Sequence, residues 1–276
     1  MMTLSSQTNP KRALLIIDPQ NDFVASGGAL SVAGAEDDAG RLASLMSALR
    51  PRLDALYVSL DSHHKVDISH PLWFEDARGV APEPFTQITS DELRAGLWRA
   101  RGARQERTLA YLEELERRAR YPHVIWPEHC LIGAEGRELF PTIYDELQAW
   151  CAHHAERGGQ VHFVTKGESP WTEHFSAVEA EVPDPHDPHT QVNQALIEGL
   201  LEADEVLVAG WARSHCVGNT VRDLIRYGGP ELAQRLVLVS DTMSDVPGFE
   251  ALGERFTAEV IQQGVRVSDC AHLKRT

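Results

Sequence analysis

Six short apolar runs punctuate the chain, at residues 13–17, 55–60, 161–165, 205–209, 236–240 and 265–267. Most show no alternation of polar and apolar positions, which predicts strands buried on both faces, as in a parallel sheet. Helical periodicity fills the intervals. Val217, Val221, Leu224 and Ile225 make one apolar stripe, Val192, Leu196 and Leu200 a second, and Ile143, Leu147, Trp150 and Cys151 a third. Strand–helix alternation through all 276 residues predicts one α/β domain: three layers, α/β/α, around a six-stranded and mainly parallel sheet.

One stretch, about 66–122, breaks that rhythm and reads as an insertion without a strand. Its prolines 71, 82 and 84 give way to a region holding eight Arg and six acidic residues between Asp91 and Arg120, with a helix predicted over 106–120. A solvated helix laced with ion pairs accounts for this pattern. The alternative reading is a lid over the active site or a subunit contact.

Charge then narrows the function classes. With 26 basic and 41 acidic residues the net charge is −15, which disfavours contact with phosphate backbones. No apolar run approaches the roughly 18 residues of a membrane span, and the first eleven residues are too polar for a signal peptide. Four cysteines with no CxxC spacing give no disulfide framework and fit a reducing cytoplasm. Only four of the 26 basic residues are Lys, and one of them, Lys166, directly ends an apolar run.

In open parallel sheets, ligands bind beyond the carboxyl ends of the strands. There the runs end in Asp18, Asp61, Lys166 and Asp241, while the fourth leads through Gly210-Trp211-Ala212 to Cys216. An acid, a lysine and a cysteine converging at one edge make a candidate nucleophilic site. Cys216 opens a predicted helix, whose dipole would lower the thiol pKa; alternatively it is a small core residue. Asp18 follows four apolar residues, so burial can raise its pKa toward general-base use, or it caps the turn before Pro19. At Lys166 a compact ammonium can sit between carboxylate and thiolate where a planar guanidinium fits poorly.

The histidines add a second constellation. Asp61 and His63, two apart in an extended segment, face the same way, with His70 shortly after and His129 beyond the insertion. One carboxylate with two or three imidazoles suits Zn²⁺, Fe²⁺ or Mn²⁺ and leaves positions open for water or substrate. His153, His154, His186 and His189 read as surface or structural residues.

Leu15-Ile16-Ile17-Asp18-Pro19-Gln20-Asn21-Asp22-Phe23, Lys166-Gly167 before Ser176-Ala177, and Gly210-Trp211-Ala212-Arg213-Ser214-His215-Cys216-Val217 resemble the isochorismatase-like cysteine hydrolases. Asp61-x-His63 and Trp126-Pro127-Glu128-His129-Cys130 resemble their nicotinamidase branch. The resemblance implies Cys216 as nucleophile, Asp18 as base and Lys166 as electrostatic support. It also implies a cis peptide at Trp211–Ala212, with the amides of Ala212 and Cys216 as an oxyanion hole. It further implies a divalent metal, zinc foremost with iron or manganese as alternatives, held by Asp61, His63 and His129 with His70 as an additional candidate. Phe23, Leu30 and Trp126 would wall a ring pocket. Where the family usually carries Thr-Asp, this chain carries Arg213-Ser214.

The expected activity is hydrolysis of nicotinamide or a related heteroaromatic amide to the acid and ammonia through a thioester. Small amides are the expected partners, in a cytoplasmic homo-oligomer that binds neither nucleic acid nor membrane. The alternatives are a metal-free amidohydrolase for ureido or carbamoyl substrates, and a non-catalytic binding protein on the same fold.

Overall fold

Leu14-Leu15-Ile16-Ile17 lies in strand β1 (Arg12–Ile17), wholly buried at the middle of the sheet. Such a run has no polar face to give to water, and burying each of these side chains contributes roughly 2 kcal/mol. The computed structural model describes residues 10–275; the polar N-terminal segment discussed above lies outside them up to residue 9. In chain order the other strands are β2 (Ala55–Asp61), β3 (Phe74–Glu75), β4 (Arg99–Ala100), β5 (Val161–Lys166), β6 (Glu205–Gly210), β7 (Leu236–Val239) and β8 (Arg266–Ser268). The helices are α1 (Asn21–Val24), α2 (Ala35–Leu49), α3 (Ser90–Arg94), α4 (Gln105–Arg118), α5 (Pro141–His153), α6 (Gln194–Leu201), α7 (Gly218–Arg235), α8 (Glu250–Gln262) and α9 (Cys270–Leu273).

Six strands form one sheet in the order β5-β2-β1-β6-β7-β8, and every pairing is parallel. Helix α2 packs on α5, while α6, α7 and α8 pack in succession, giving the two helical layers. Burial differs from expectation at the two edges. Phe163 in β5 and Val267 in β8 are exposed, because an edge strand is covered by fewer neighbours than a central one. The chain leaves β1 toward β2 and β5, then returns to β6 on the other side of β1. That reversal makes a crevice beyond the ends of β1 and β6, the usual place for a ligand in this class of sheet. Gly210 closes β6 with φ +116°, and a Cβ there would collide with the Ile17 carbonyl of the paired strand.

Between β2 and β5 the inserted region holds a two-residue antiparallel pair, Phe74–Glu75 with Arg99–Ala100, where no strand was expected. Two residues are too few to leave a periodic signal. Helix α4 occupies the predicted helical stretch and carries the expected local ion pairs, Glu114 with Arg117 and Arg118. Its other face is apolar: Tyr111, Leu112 and Leu115 join Trp73, Phe74 and Ile125 in a separate small core.

Arg120, just past α4, ties this region to the main domain. Its guanidinium lies 2.8 Å from Asp223 on α7 and 3.7 Å from Glu181, both buried. One cation serves two buried carboxylates and sits nearer Asp223. Burial therefore dominates at Glu181, and its pKa is pushed up to about 8 from the usual 4.5. The native state then holds a proton that the unfolded chain has released, so stability falls as pH rises from 4.5 to about 8. Glu181→Gln should remove this loss. Chemical denaturation of both proteins at several pH values should show the variant gaining on the wild type by up to about 1.4 kcal/mol per pH unit inside that window. A difference independent of pH would mean that native Glu181 is already ionised.

Candidate active site

The polar residues that end the strands meet at the crevice. Asp18 follows β1 with φ +48°, a left-handed conformation that aspartate tolerates better than most residues. Ser59 fixes it twice: its Oγ accepts from the Asp18 amide at 3.0 Å and donates to Oδ1 at 2.6 Å. Asp61 and Lys166 are register partners at the ends of β2 and β5. The Lys166 ammonium lies 2.9 Å from Asp18 Oδ2, 3.0 Å from Asp61 Oδ1 and 3.8 Å from Cys216 Sγ. It also donates to the His174 carbonyl at 3.1 Å. Cys216 sits in a π-helical turn (Arg213–Val217) that leads into α7, and the Trp211–Ala212 peptide before it is cis. Asp241 ends its strand at the same edge but accepts from the Cys270 amide, away from this group.

These charges are interdependent. Burial raises the Asp18 pKa while Lys166 opposes it. Burial works the same way on Asp61, but there His63 and Lys166 outweigh it and hold the carboxyl well below its ordinary value. Burial disfavours the Lys166 charge, yet Asp18 and Asp61 together keep it firmly protonated. At Cys216 the expectation of a thiol acidified by the helix terminus is corrected. Burial pushes the thiol well up, with Lys166 acting against it. The environment thus favours the protonated thiol over the thiolate.

A second cluster adjoins the first. The ligand atoms of Asp61, His63 and His129 all lie within 4.8 Å of one another. His63 Nε2 and His129 Nε2 face Asp61 Oδ2 at 3.1 and 3.4 Å. Their other nitrogens are engaged: His63 Nδ1 lies 3.2 Å from Asp67, and His129 Nδ1 lies 2.8 Å from the Pro127 carbonyl. Both rings thereby turn Nε2 toward the same carboxylate, which is the donor set and orientation that a divalent ion requires. His70 stands next to the cluster, with Nδ1 on the His64 carbonyl and Nε2 3.4 Å from His129 Nδ1. It backs His129 and is outside the convergent set.

One cavity joins the two clusters. Phe23, Leu30, Trp126, Asp61, His129, Ala212 and Cys216 line it, together with Val32, Glu173, Phe175, His215 and Val246. Sequence reasoning missed Glu173, whose oxygens accept from the Trp126 indole and the His174 amide, both at 3.1 Å. It also missed Gln20, whose side-chain amide bonds the Asp61 amide and carbonyl at 2.7 Å each. Gln20, two residues after Asp18 in a buried turn, offered a faint cue; Glu173, on a loop without periodicity, offered none.

No family model matches the sequence. A curated relative, the nicotinamidase of Escherichia coli (strain K12), is 28% identical over 221 residues, covering 79% of this chain and 78% of the relative. Among solved structures, the yeast nicotinamidase Pnc1p bound to the inhibitor nicotinaldehyde superposes with a TM-score of 0.66 at 20% identity, over 94% of this chain and 99% of that one. The pyrazinamidase of Pyrococcus horikoshii in complex with zinc gives 0.55 at 17% identity, again over 94% and 99%. The chain is thus similar to nicotinamidases in sequence, and its fold is the isochorismatase-like α/β fold of those structures.

Within this site the lysine is the main group opposing the rise in the thiol pKa. Lys166→Met should therefore slow alkylation of Cys216 by iodoacetamide at pH 8 by about tenfold or more, the effect of one pKa unit. Peptide mass spectrometry distinguishes Cys216 from the other cysteines, and an unchanged rate would show that the ammonium does not act on the sulfur.

Proposed function

We propose that the protein is a metal-assisted cysteine amidohydrolase that converts nicotinamide, or a related heteroaromatic amide, to the carboxylic acid and ammonia. The observation that carries this reading is the Lys166 ammonium in contact range of the Asp18 and Asp61 carboxylates and the Cys216 sulfur at once. The nucleophile Cys216 and Asp61, a carboxylate of the histidine cluster, therefore line one cavity with an aromatic wall, and Asp18, buried behind it, is tied to both through the same ammonium. The named activities of the relatives are in keeping with this reading.

In the proposed reaction Asp18 takes the thiol proton as Cys216 Sγ attacks the amide carbonyl. The carbonyl oxygen gains negative charge and accepts hydrogen bonds from the Ala212 and Cys216 amides, each worth roughly 3 kcal/mol in comparable oxyanion holes. Asp18 returns its proton to the departing nitrogen, ammonia leaves, and an acyl thioester remains on Cys216. Asp18 then deprotonates a water, whose attack on the thioester releases the acid and restores the thiol. Lys166 keeps Asp18 ionised at the start of each half-reaction and offsets the charge that moves onto sulfur. Phe23, Leu30 and Trp126 enclose the ring.

Asp61, His63 and His129 would hold the metal, with zinc the first candidate. When bound, a divalent ion supplies a Lewis acid that fixes a pyridine nitrogen and so orients the ring. The protein is assigned to the cytoplasm as a homo-oligomer acting on small neutral amides; among the described residues no helix is long and apolar enough to cross a membrane.

Cys216→Ala should lower ammonia release from nicotinamide by at least about a thousandfold without a change in circular dichroism, and retained turnover would remove Cys216 from the chemistry. His129→Ala, or dialysis against a chelator, should lower both bound metal and nicotinamide turnover. A purified protein with no bound metal would instead favour a metal-free amidohydrolase for ureido or carbamoyl substrates.

A further inference from the structure

The cavity wall near the nucleophile includes Val246, on the connection between β7 and α8. That connection is bound to the nucleophile turn at several points. Arg213 Nε lies 3.1 Å from both Asp245 carboxylate oxygens, and its Nη2 contacts Oδ2 as well. The Arg213 amide donates to the Ser244 carbonyl at 3.0 Å, and the Val246 amide donates to Ser214 Oγ at 3.2 Å. From α2, Asp38 Oδ2 accepts from the Ser244 amide at 2.8 Å and the Trp211 indole at 3.2 Å.

The ion pair does not lie loose on the surface. The Asp245 side chain is 6% exposed and that of Arg213 25%. Both rest against α8 at Gly253, where a Cβ would collide with Asp245 Oδ1 and stand 2.7 Å from Arg213 Nε. A missing side chain on one helix thus makes the slot that an arginine from the turn and an aspartate from the connection fill together.

We propose that Arg213, Asp245 and Gly253 form a latch that holds residues 243–249 against the nucleophile turn and thereby sets how closely the cavity grips the substrate's ring. The three are positioning residues, and their effect on substrate rests on the amidase reading above. Val246 lines the cavity, and Phe249 on the same segment packs edge-on against His215, with ring centroids 4.8 Å apart. The turn bearing Cys216 has its own support, since the Ala212 carbonyl accepts from the His215 and Val217 amides at 3.0 and 3.1 Å. Opening the latch therefore frees the ring wall and leaves the reacting groups in place. This is the signature of lost uniform binding, a higher KM with kcat retained.

The test uses Arg213→Met, Asp245→Asn, their double variant, Arg213→Lys and Gly253→Ala. Hydrogen exchange on the free protein should show amides 244–249 exchanging about tenfold faster in Arg213→Met and in Gly253→Ala, as loss of a charged hydrogen-bonded pair implies, while β6 is unaffected. The KM for nicotinamide should rise about tenfold with kcat within about twofold, and the double variant should be no worse than either single one. Arg213→Lys should fall between. Unchanged exchange at 244–249 overturns the latch whatever the activity, and so does a fall in kcat at constant KM. A wild type whose exchange shows the latch but which releases no ammonia removes the amidase reading and leaves the latch standing.

Discussion

A buried ammonium between two buried carboxylates is the constraint on which the rest of this structure depends. Burial opposes the charge on all three: Lys166 offsets it at Asp18, His63 and Lys166 offset it at Asp61, and the two carboxylates offset it at Lys166. The sheet brings the three together by register. Asp61 and Lys166 end adjacent paired strands, and Asp18 ends the next strand along. Around this triplet the chain spends further polar groups to hold each carboxylate still, Ser59 at Asp18 and the Gln20 amide at the backbone of Asp61.

The same triplet explains how one cavity can hold two kinds of chemistry. Asp61 faces the lysine with one oxygen and the two imidazoles with the other. It is the shared wall between the thiol side and the histidine side. Aromatic and aliphatic residues line the cavity on the thiol side, and the burial there is what lifts the Cys216 thiol pKa.

The inserted region is built differently from the rest. It contributes most of a second apolar core, and its contacts with the rest of the chain include Arg107 with Asp184, Arg120 with Asp223, and Tyr121, whose hydroxyl donates to the Ser214 carbonyl at 2.8 Å. Tyr121 also packs on Phe175 and His215, both of which line the cavity. This segment thus packs against the cavity wall from behind. Its charge pattern suggested a solvated helix, and the outer face of α4 is one. The inner face was masked because Tyr111, Leu112 and Leu115 are few among many charged neighbours.

The sequence by itself determined the sheet, because strands buried on both faces must be written as unbroken apolar runs, and it marked Asp18, Asp61, Lys166 and Cys216 because a polar residue that directly ends or closely follows such a run stands out. His63 was legible from its spacing to Asp61. Tertiary structure alone decided the rest. Which strands lie at the edges depends on the order of pairing, and no local pattern encodes that order. The protonation of Cys216 depends on how deeply the turn is buried, which reversed the expectation drawn from the helix terminus. Glu173, Val246 and Asp245 come from connecting segments with no period to read. Their place in the site follows from contacts between residues far apart in the chain, and only the folded molecule brings such residues together.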